Sequence, residues 1–166
     1  MHNSADMVAQ VFSEGIFGGT GNVAGSVNLY GTLQPGDDGI GTLLLKNFAA
    51  SSPVSLVLRP TAKLEMQIQS TQLHDSVYVN NDLILNPIGE DFSTSDELPT
   101  LVLQLTEDCD VNLYDRFVLL PAAKKSSTDG REWSFRLKMP ERYTWETEEG
   151  TDESGRYVLA VKVVSL

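Results

Sequence analysis

Apolar and polar residues alternate through most of this chain, with the period of a strand that buries one face. The clearest examples are VSLVLR (54–59), KLEMQIQ (63–69), EWSFRLKM (132–139) and RYVLAVKVV (156–164). More continuous apolar runs, such as RFVLLP (116–121), are typical of central strands that are covered on both faces. No stretch of ten or more residues follows the 3.6-residue period of a helix. The pattern therefore predicts an all-β protein.

Short turn signals separate these segments, among them QPGDDG, NPIGED, STDG and EEGTDESG. Asp38-Gly39 and Asp129-Gly130 are the dipeptides that type I′ hairpin turns favour, because both central residues of such a turn need a positive φ. Many short strands joined by tight turns predict an antiparallel β-sandwich of jelly-roll or immunoglobulin-like style. We assign residues 25–166 to this single domain.

Residues 1–24 differ from the rest because they are rich in glycine and carry no base. We predict that this segment is either an N-terminal arm that orders against a neighbouring molecule or the first strand of the domain itself. Large apolar side chains would be poorly placed in a free tail, but they could lie along another protein. Phe12, Ile16 and Phe17 are therefore candidate interface residues.

Size and composition indicate one soluble globular domain. The chain has 166 residues, of which 41% are hydrophobic and 21% charged, and no apolar run approaches the length of about 20 residues that spans a bilayer. The single cysteine, Cys109, excludes an intrachain disulfide, and the first residues lack the basic and apolar regions of a signal peptide. We expect synthesis in the cytoplasm and no contact with a membrane.

The net charge of −11 is unevenly distributed along the chain. Between residues 64 and 115 there are eleven acids and no Lys or Arg, whereas residues 116–166 hold nine bases against eight acids. This pattern is the reverse of a phosphate-binding surface, so nucleic acid is not an expected partner. One interpretation is that the acidic charge serves only for solubility. The other is that the acidic middle of one copy meets the more basic last third of another, where Lys124 and Lys125 are candidate interface residues.

The sequence offers little catalytic chemistry. Cys109 stands among acidic neighbours that disfavour its thiolate, and His74 is followed by Asp75, whose side chain points to the opposite face of an extended chain. The glycines of GGTGNVAG precede a strand-like segment rather than the helix that a dinucleotide fingerprint needs. The residues therefore predict a protein that is not an enzyme and that needs no cofactor.

Clustered acids are the only candidate metal ligands, and they would suit calcium, which prefers several converging oxygen atoms. None of the clusters has the spacing of an EF-hand, so calcium is the weaker interpretation. In TWETEEGTDESGRY (144–157) we instead predict a solvated hairpin tip. The candidate calcium ligands are Asp37, Asp38, Asp108, Asp110, Asp152 and Glu153.

These features together favour a non-enzymatic protein that assembles with copies of itself and with a larger protein surface. In general character, though not in any residue motif, the chain resembles capsid decoration and other virion structural proteins of tailed phages. That resemblance implies a place on the virion surface. The alternative is a ligand-binding β-sandwich, either carbohydrate-binding or calcium-dependent and lectin-like. In that case Trp133, Tyr143, Trp145 or Tyr157 would stack against the ligand, although core packing explains their positions better.

Overall fold

The computed structural model describes residues 8–36, 39–47, 53–88 and 96–166. This part of the chain contains sixteen β-strands and no helix, which confirms the all-β prediction. The strands are β1 (Val8–Val11), β2 (Ile16–Gly19), β3 (Gly21–Val23), β4 (Ser26–Leu29), β5 (Thr32–Pro35), β6 (Thr42–Leu45), β7 (Leu56–Leu58), β8 (Lys63–Ile68), β9 (Ser76–Val79), β10 (Asp82–Leu85), β11 (Thr100–Leu105), β12 (Arg116–Ala122), β13 (Lys124–Ser127), β14 (Arg136–Lys138), β15 (Thr144–Thr151) and β16 (Tyr157–Ser165).

From β1 to β11, every strand except β9 pairs with the strand three places later in the chain, and these pairs are parallel. The first sheet has the order β1-β4-β7-β10-β13, the second has β2-β5-β8-β11-β14, and the third has β3-β6-β9. A chain that visits three sheets in rotation and returns one strand further along each time is a coil. The protein is therefore a three-sided parallel β-helix, in which each turn stacks on the one before it.

The third side ends differently from the other two. β12 lies beside β9, with His74 Nε2 3.2 Å from the Val118 carbonyl oxygen near one end and Ala123 N bonded to Asn81 O at 2.6 Å near the other. The two strands therefore run in the same direction. β16 then pairs antiparallel with both β12 and β15, in the order β12-β16-β15. The pairing of β15 with β16 confirms the predicted hairpin.

Aliphatic columns fill the interior. Leu29 pairs in register with Leu58, and Leu58 with Leu85, and all three side chains are fully buried. On the second side Leu33, Leu64 and Leu101 form a matching column. Alternate residues along each strand enter the core, as the period of two predicts, and burial of such side chains contributes about 25 cal/mol per Å² of apolar surface.

The predicted antiparallel β-sandwich, whether jelly-roll or immunoglobulin-like, is wrong, because three of the four sheets are parallel. Alternation shows that a strand buries one face, but it does not specify the direction of its neighbour. The turn signals led to the same wrong prediction of antiparallel pairing. Asp129-Gly130 does bend the chain, with a φ of +78° at Gly130, but it connects β13 to β14, which belong to different sheets.

The glycine-rich N-terminal segment, as far as it is described, forms the first turn of the coil. β1, β2 and β3 pair with β4, β5 and β6 of the second turn. Residues 1–7 lie outside the described part of the chain. In the parts that are described, the structure contains no helix long and apolar enough to cross a membrane.

Candidate functional site

The C-terminal end of the first sheet changes from apolar to polar at interior positions. The column Val27, Leu56, Leu83 continues in register to Lys125, and the column Leu29, Leu58, Leu85 continues to Ser127. Terminal turns of coiled repeat folds need such a polar surface, because no further turn covers them. The fifth turn therefore closes this end of the core.

Lys125 is the centre of this closure. Its Nζ donates to the Trp133 carbonyl oxygen at 2.5 Å and forms an ion pair with Glu149 of β15. The same Nζ lies 4.9 Å from the centre of the Trp133 ring and 5.4 Å from that of Tyr157. Only 18% of the Lys125 side chain and 22% of the Glu149 side chain are exposed. The contacts tie the C-terminal hairpin to the last turn of the coil.

Tyr157 completes the closure from β16. Its ring is buried, and its hydroxyl group has no hydrogen-bond partner among the described residues. Burial, and then the negative charge of Glu149, raises the pKa of this hydroxyl group. A cavity of about 350 Å³ beside it is lined by Lys125, Glu149 and Tyr157, among others. Because Lys125 and Glu149 already neutralise each other, the group has the chemistry of a structural clamp and not that of an acid-base pair.

The N-terminal end has no comparable closure within the described residues. β1, β2 and β3 each pair on one side only, so one edge of each strand has unpaired backbone groups. Among the interior side chains of this turn, Val11 is buried, whereas Ala9, Phe17 and Val23 pack against the core but are only partly buried. This end is therefore apolar where the opposite end is polar.

Large apolar side chains surround this open turn. Val8 is 58% exposed, Phe12 66% and Ile16 70%. We call Val8, Phe12, Ile16 and Phe17, together with the free edges of β1–β3, the N-terminal surface. The surface is also nearly uncharged, since Glu14 is the only charged residue between positions 8 and 36. The described residues of this end therefore add little electrostatic repulsion between copies of a protein whose net charge is −11.

The structure places the five predicted interface residues at opposite ends. Phe12, Ile16 and Phe17 lie together on the N-terminal surface. Lys124 and Lys125 lie on β13, where Lys124 Nζ is 3.6 Å from Asp82 and Lys125 is paired with Glu149. Both lysines therefore already have partners within their own chain.

The predicted calcium ligands that belong to the described part of the chain do not converge. No group of three or more His, Cys, Asp or Glu side chains that could hold a metal ion occurs in the described ranges. Asp37 and Asp38 fall outside those ranges. Asp108 and Asp110 are exposed near the end of β11, and Glu153 is exposed in the hairpin turn.

Asp152 has a role within the hairpin turn. Its Oδ1 accepts hydrogen bonds from Ser154 N at 2.9 Å, Ser154 Oγ at 2.6 Å and Arg156 N at 3.0 Å. The hydrogen bond from the Ser154 side chain is the main reason that the pKa of Asp152 is lowered. A carboxylate that satisfies its own turn in this way is a typical Asx-type element.

The four aromatic residues considered as ligand platforms pack in or against the core. Trp133 and Tyr157 are only 6% and 5% exposed. Trp145 lies partly buried against Phe117 and Tyr143, at ring-centre distances of 6.2 and 6.0 Å. Trp133 and Tyr157 are therefore core residues, and Tyr143 and Trp145 pack against the core while remaining partly exposed.

The two residues considered for catalysis also have structural surroundings. His74 packs edge-on against Phe117, with ring centres 5.5 Å apart, and its Nδ1 is buried without a partner. Burial is the first cause that raises the pKa of Cys109; the nearby Arg142 lowers it and Asp110 raises it further. The sequence argument considered only the acidic neighbours of this thiol and missed its partial burial.

Asp75 is a buried carboxylate that the sequence analysis did not recognise. It is fully buried, and its two oxygen atoms accept hydrogen bonds from Gly41 N and Gln67 N, each at 2.8 Å. Burial raises its pKa to about 6, although both hydrogen bonds oppose this. Since Gly41 and Gln67 belong to neighbouring turns, Asp75 fastens one turn to the next. The only sequence signal for this buried position is that Asp75 directly precedes an alternating strand.

No protein-family model matches the chain, and no curated protein matches it at a significant level. The geometry of the two ends is therefore the basis for a functional proposal.

Proposed function

We propose that this protein is a non-enzymatic assembly module that associates with copies of itself through the N-terminal surface. The observation that carries the proposal is the contrast between the two ends of the coil. At one end Lys125, Glu149 and Ser127 place polar groups over the core, although the outer strands β13 and β14 also have a free edge. At the other end, within the described residues, the free edges of β1, β2 and β3 occur together with exposed apolar side chains. Exposed edges with apolar neighbours are templates for pairing with another chain.

The virion role expected from the sequence is not carried forward. That interpretation combined a β-sandwich with cytoplasmic synthesis, acidic charge, an apolar arm and a lack of catalytic residues. The parallel sheets contradict the sandwich, and no comparison with known proteins supports a virion role. The lectin-like alternative is not developed, because the four candidate aromatic residues lie in or against the core and the described residues contain no group of three or more potential metal ligands.

The proposal is tested by the mass of the protein in solution over a range of concentrations. We expect the native chain to form oligomers and a Phe12→Lys/Ile16→Lys variant to remain monomeric at the same concentrations. Burial of each side chain is worth about 1.5–3 kcal/mol, so each substitution should weaken association at least about tenfold. The matched control is Leu73→Lys/Leu113→Lys, which changes two residues that are 51% and 40% exposed on loops elsewhere.

A salt series separates this surface from the charged alternative. An apolar contact with one charge nearby should persist at 0.5 M salt, whereas pairing of the acidic middle with Lys124 and Lys125 should weaken. A monomer at all concentrations, or equal effects of the two double variants, would refute the proposal.

A further inference from the structure

We propose that the N-terminal surface binds the N-terminal surface of a second copy, forming a closed two-fold dimer and not an open head-to-tail stack. This inference rests on the proposed function and specifies its partner. The alternative is a stack in which the first turn of one copy continues the last turn of another, because β1 and β13 are the two outer strands of the same parallel sheet. Such a stack would have no natural end.

The C-terminal hairpin blocks the head-to-tail stack. The first and second sides each have five strands, but the third side has six in the order β3, β6, β9, β12, β16, β15. In a continuous stack, the β1 and β2 strands of the next copy would pair with β13 and β14. On the third side, β3 of the next copy would need the sixth position. The first copy's own β15 already occupies that position.

The interior side chains of the two copies would also be mismatched in polarity at such a junction. A head-to-tail contact would place the apolar Ala9 of the next copy in line with Lys125, whose charge is satisfied by Glu149. Covering that ion pair with apolar surface would remove its remaining contact with water without supplying a new partner, which is unfavourable. Contact between two N-terminal surfaces brings apolar interior residues together instead, among them Phe17 and Val23.

Strand direction is compatible with this arrangement. A two-fold axis perpendicular to the coil places β1 of one copy antiparallel to β1 of the other, which is a favourable pairing for free strand edges. β1 is VAQV, with Gln10 exposed and Val11 buried, so each edge offers regular strand geometry. Between positions 8 and 36, Glu14 is the only charged residue that each copy contributes.

Distances between spin labels distinguish the two arrangements. In a Cys109→Ser background, one label is attached through Gln10→Cys in β1 and, in a second sample, through Lys138→Cys in β14, both at exposed positions. Strands in a sheet are about 4.8 Å apart, so in the two-fold dimer the label pair at position 10 should be separated by less than about 20 Å and the pair at position 138 by about 40 Å or more. In a head-to-tail stack, both pairs should show one equal repeat distance.

Each outcome has a definite meaning. A short distance at position 10 with a long one at position 138 supports the two-fold dimer. Equal distances overturn it but leave self-association through the N-terminal surface intact. A short distance at position 138 alone, or no dipolar coupling at any concentration at which the labelled chain is folded, overturns this inference and the proposed function together.

Discussion

Substitution of Gly31 by alanine tests the packing of the first turn on the second. Gly31 is buried between β4 and β5, and a Cβ atom there would lie 2.2 Å from the Gly15 carbonyl oxygen and 2.3 Å from that of Phe12. Both contacts are with backbone, which cannot rotate away. The first turn would therefore have to move outward by about 1 Å to reach an ordinary contact distance.

The hydrogen bonds at this corner set the size of the effect. Thr32 N donates to Gly15 O at 2.9 Å, and Tyr30 N and Gly31 N donate to Val11 O at 2.8 and 3.3 Å. Loss of two or three such bonds, at a net value of about 0.5–1.5 kcal/mol each, predicts a destabilisation of about 1–4.5 kcal/mol. Because each turn of a coiled repeat contacts only its neighbours, the damage should be greatest in the first turn.

Hydrogen exchange followed by mass spectrometry measures this effect segment by segment. We expect Gly31→Ala to remove protection from residues 8–23 and to leave β7, β8 and β11 near the native level. The matched control is Gly150→Ala, since a Cβ atom at this exposed position of β15 would meet no atom within 4 Å. That variant should be neutral or slightly more stable. Native protection of residues 8–23 in Gly31→Ala would refute the proposed stacking of the first turn.

Two further predictions concern buried charges. Because the pKa of Asp75 is raised to about 6 from 3.8, the stability that its protonation provides is fully present below pH 3.8 and is lost as the pH rises through 6. Denaturant unfolding at several pH values should show a steeper fall between pH 4 and 6 for the native protein than for Asp75→Asn, and parallel curves would contradict this. Lys125→Met should reduce the free energy of unfolding by about 1–3 kcal/mol, because it leaves Glu149 without its partner, and adding Glu149→Gln should restore part of the loss. Lys124→Met, at a side chain that is 69% exposed, should change stability by less than about 0.5 kcal/mol, and additive effects of the Lys125 and Glu149 substitutions would show that the pair is not coupled.

Strand positions could be predicted from the sequence because each strand carries its own local signal. KLEMQIQ has the burial pattern that its alternation predicts, with Leu64, Met66 and Ile68 fully buried in β8. The C-terminal hairpin was also predictable, since its two alternating strands flank a short acidic turn that contains Gly155, whose φ is +81°.

The parallel pairing could not be predicted, because it depends on residues far apart in the sequence and the turns differ in length. The stacked residues Val27, Leu56, Leu83 and Lys125 follow one another at intervals of 29, 27 and 42 residues. A repeat of constant length would have indicated a coil, but these loops vary too much to leave a visible period. Interior columns become visible only after the register is known.

The same limitation explains why the sequence pattern does not distinguish Lys125 from Lys124. In the sequence it is one of two adjacent lysines before SSTDG, and nothing distinguishes it from Lys124. The register places Lys125 in line with Leu83 and places Lys124 in line with Asp82. One lysine therefore faces the interior, where it closes the core, and the other faces outward. A shift of one residue along a strand exchanges these two environments.

Free strand edges alone do not determine which end of this coil can associate. β1 and β2 at one end, like β13 and β14 at the other, each lack a neighbour on one side. The two ends differ in the side chains that the interior columns present there and in the position of β15. At the C-terminal end, Lys125 is held by Glu149 from a strand that extends past the last full turn, so an approaching chain meets a satisfied charge and a filled position. At the N-terminal end, an approaching chain meets Phe17 and unpaired backbone, and both gain contacts when they are covered.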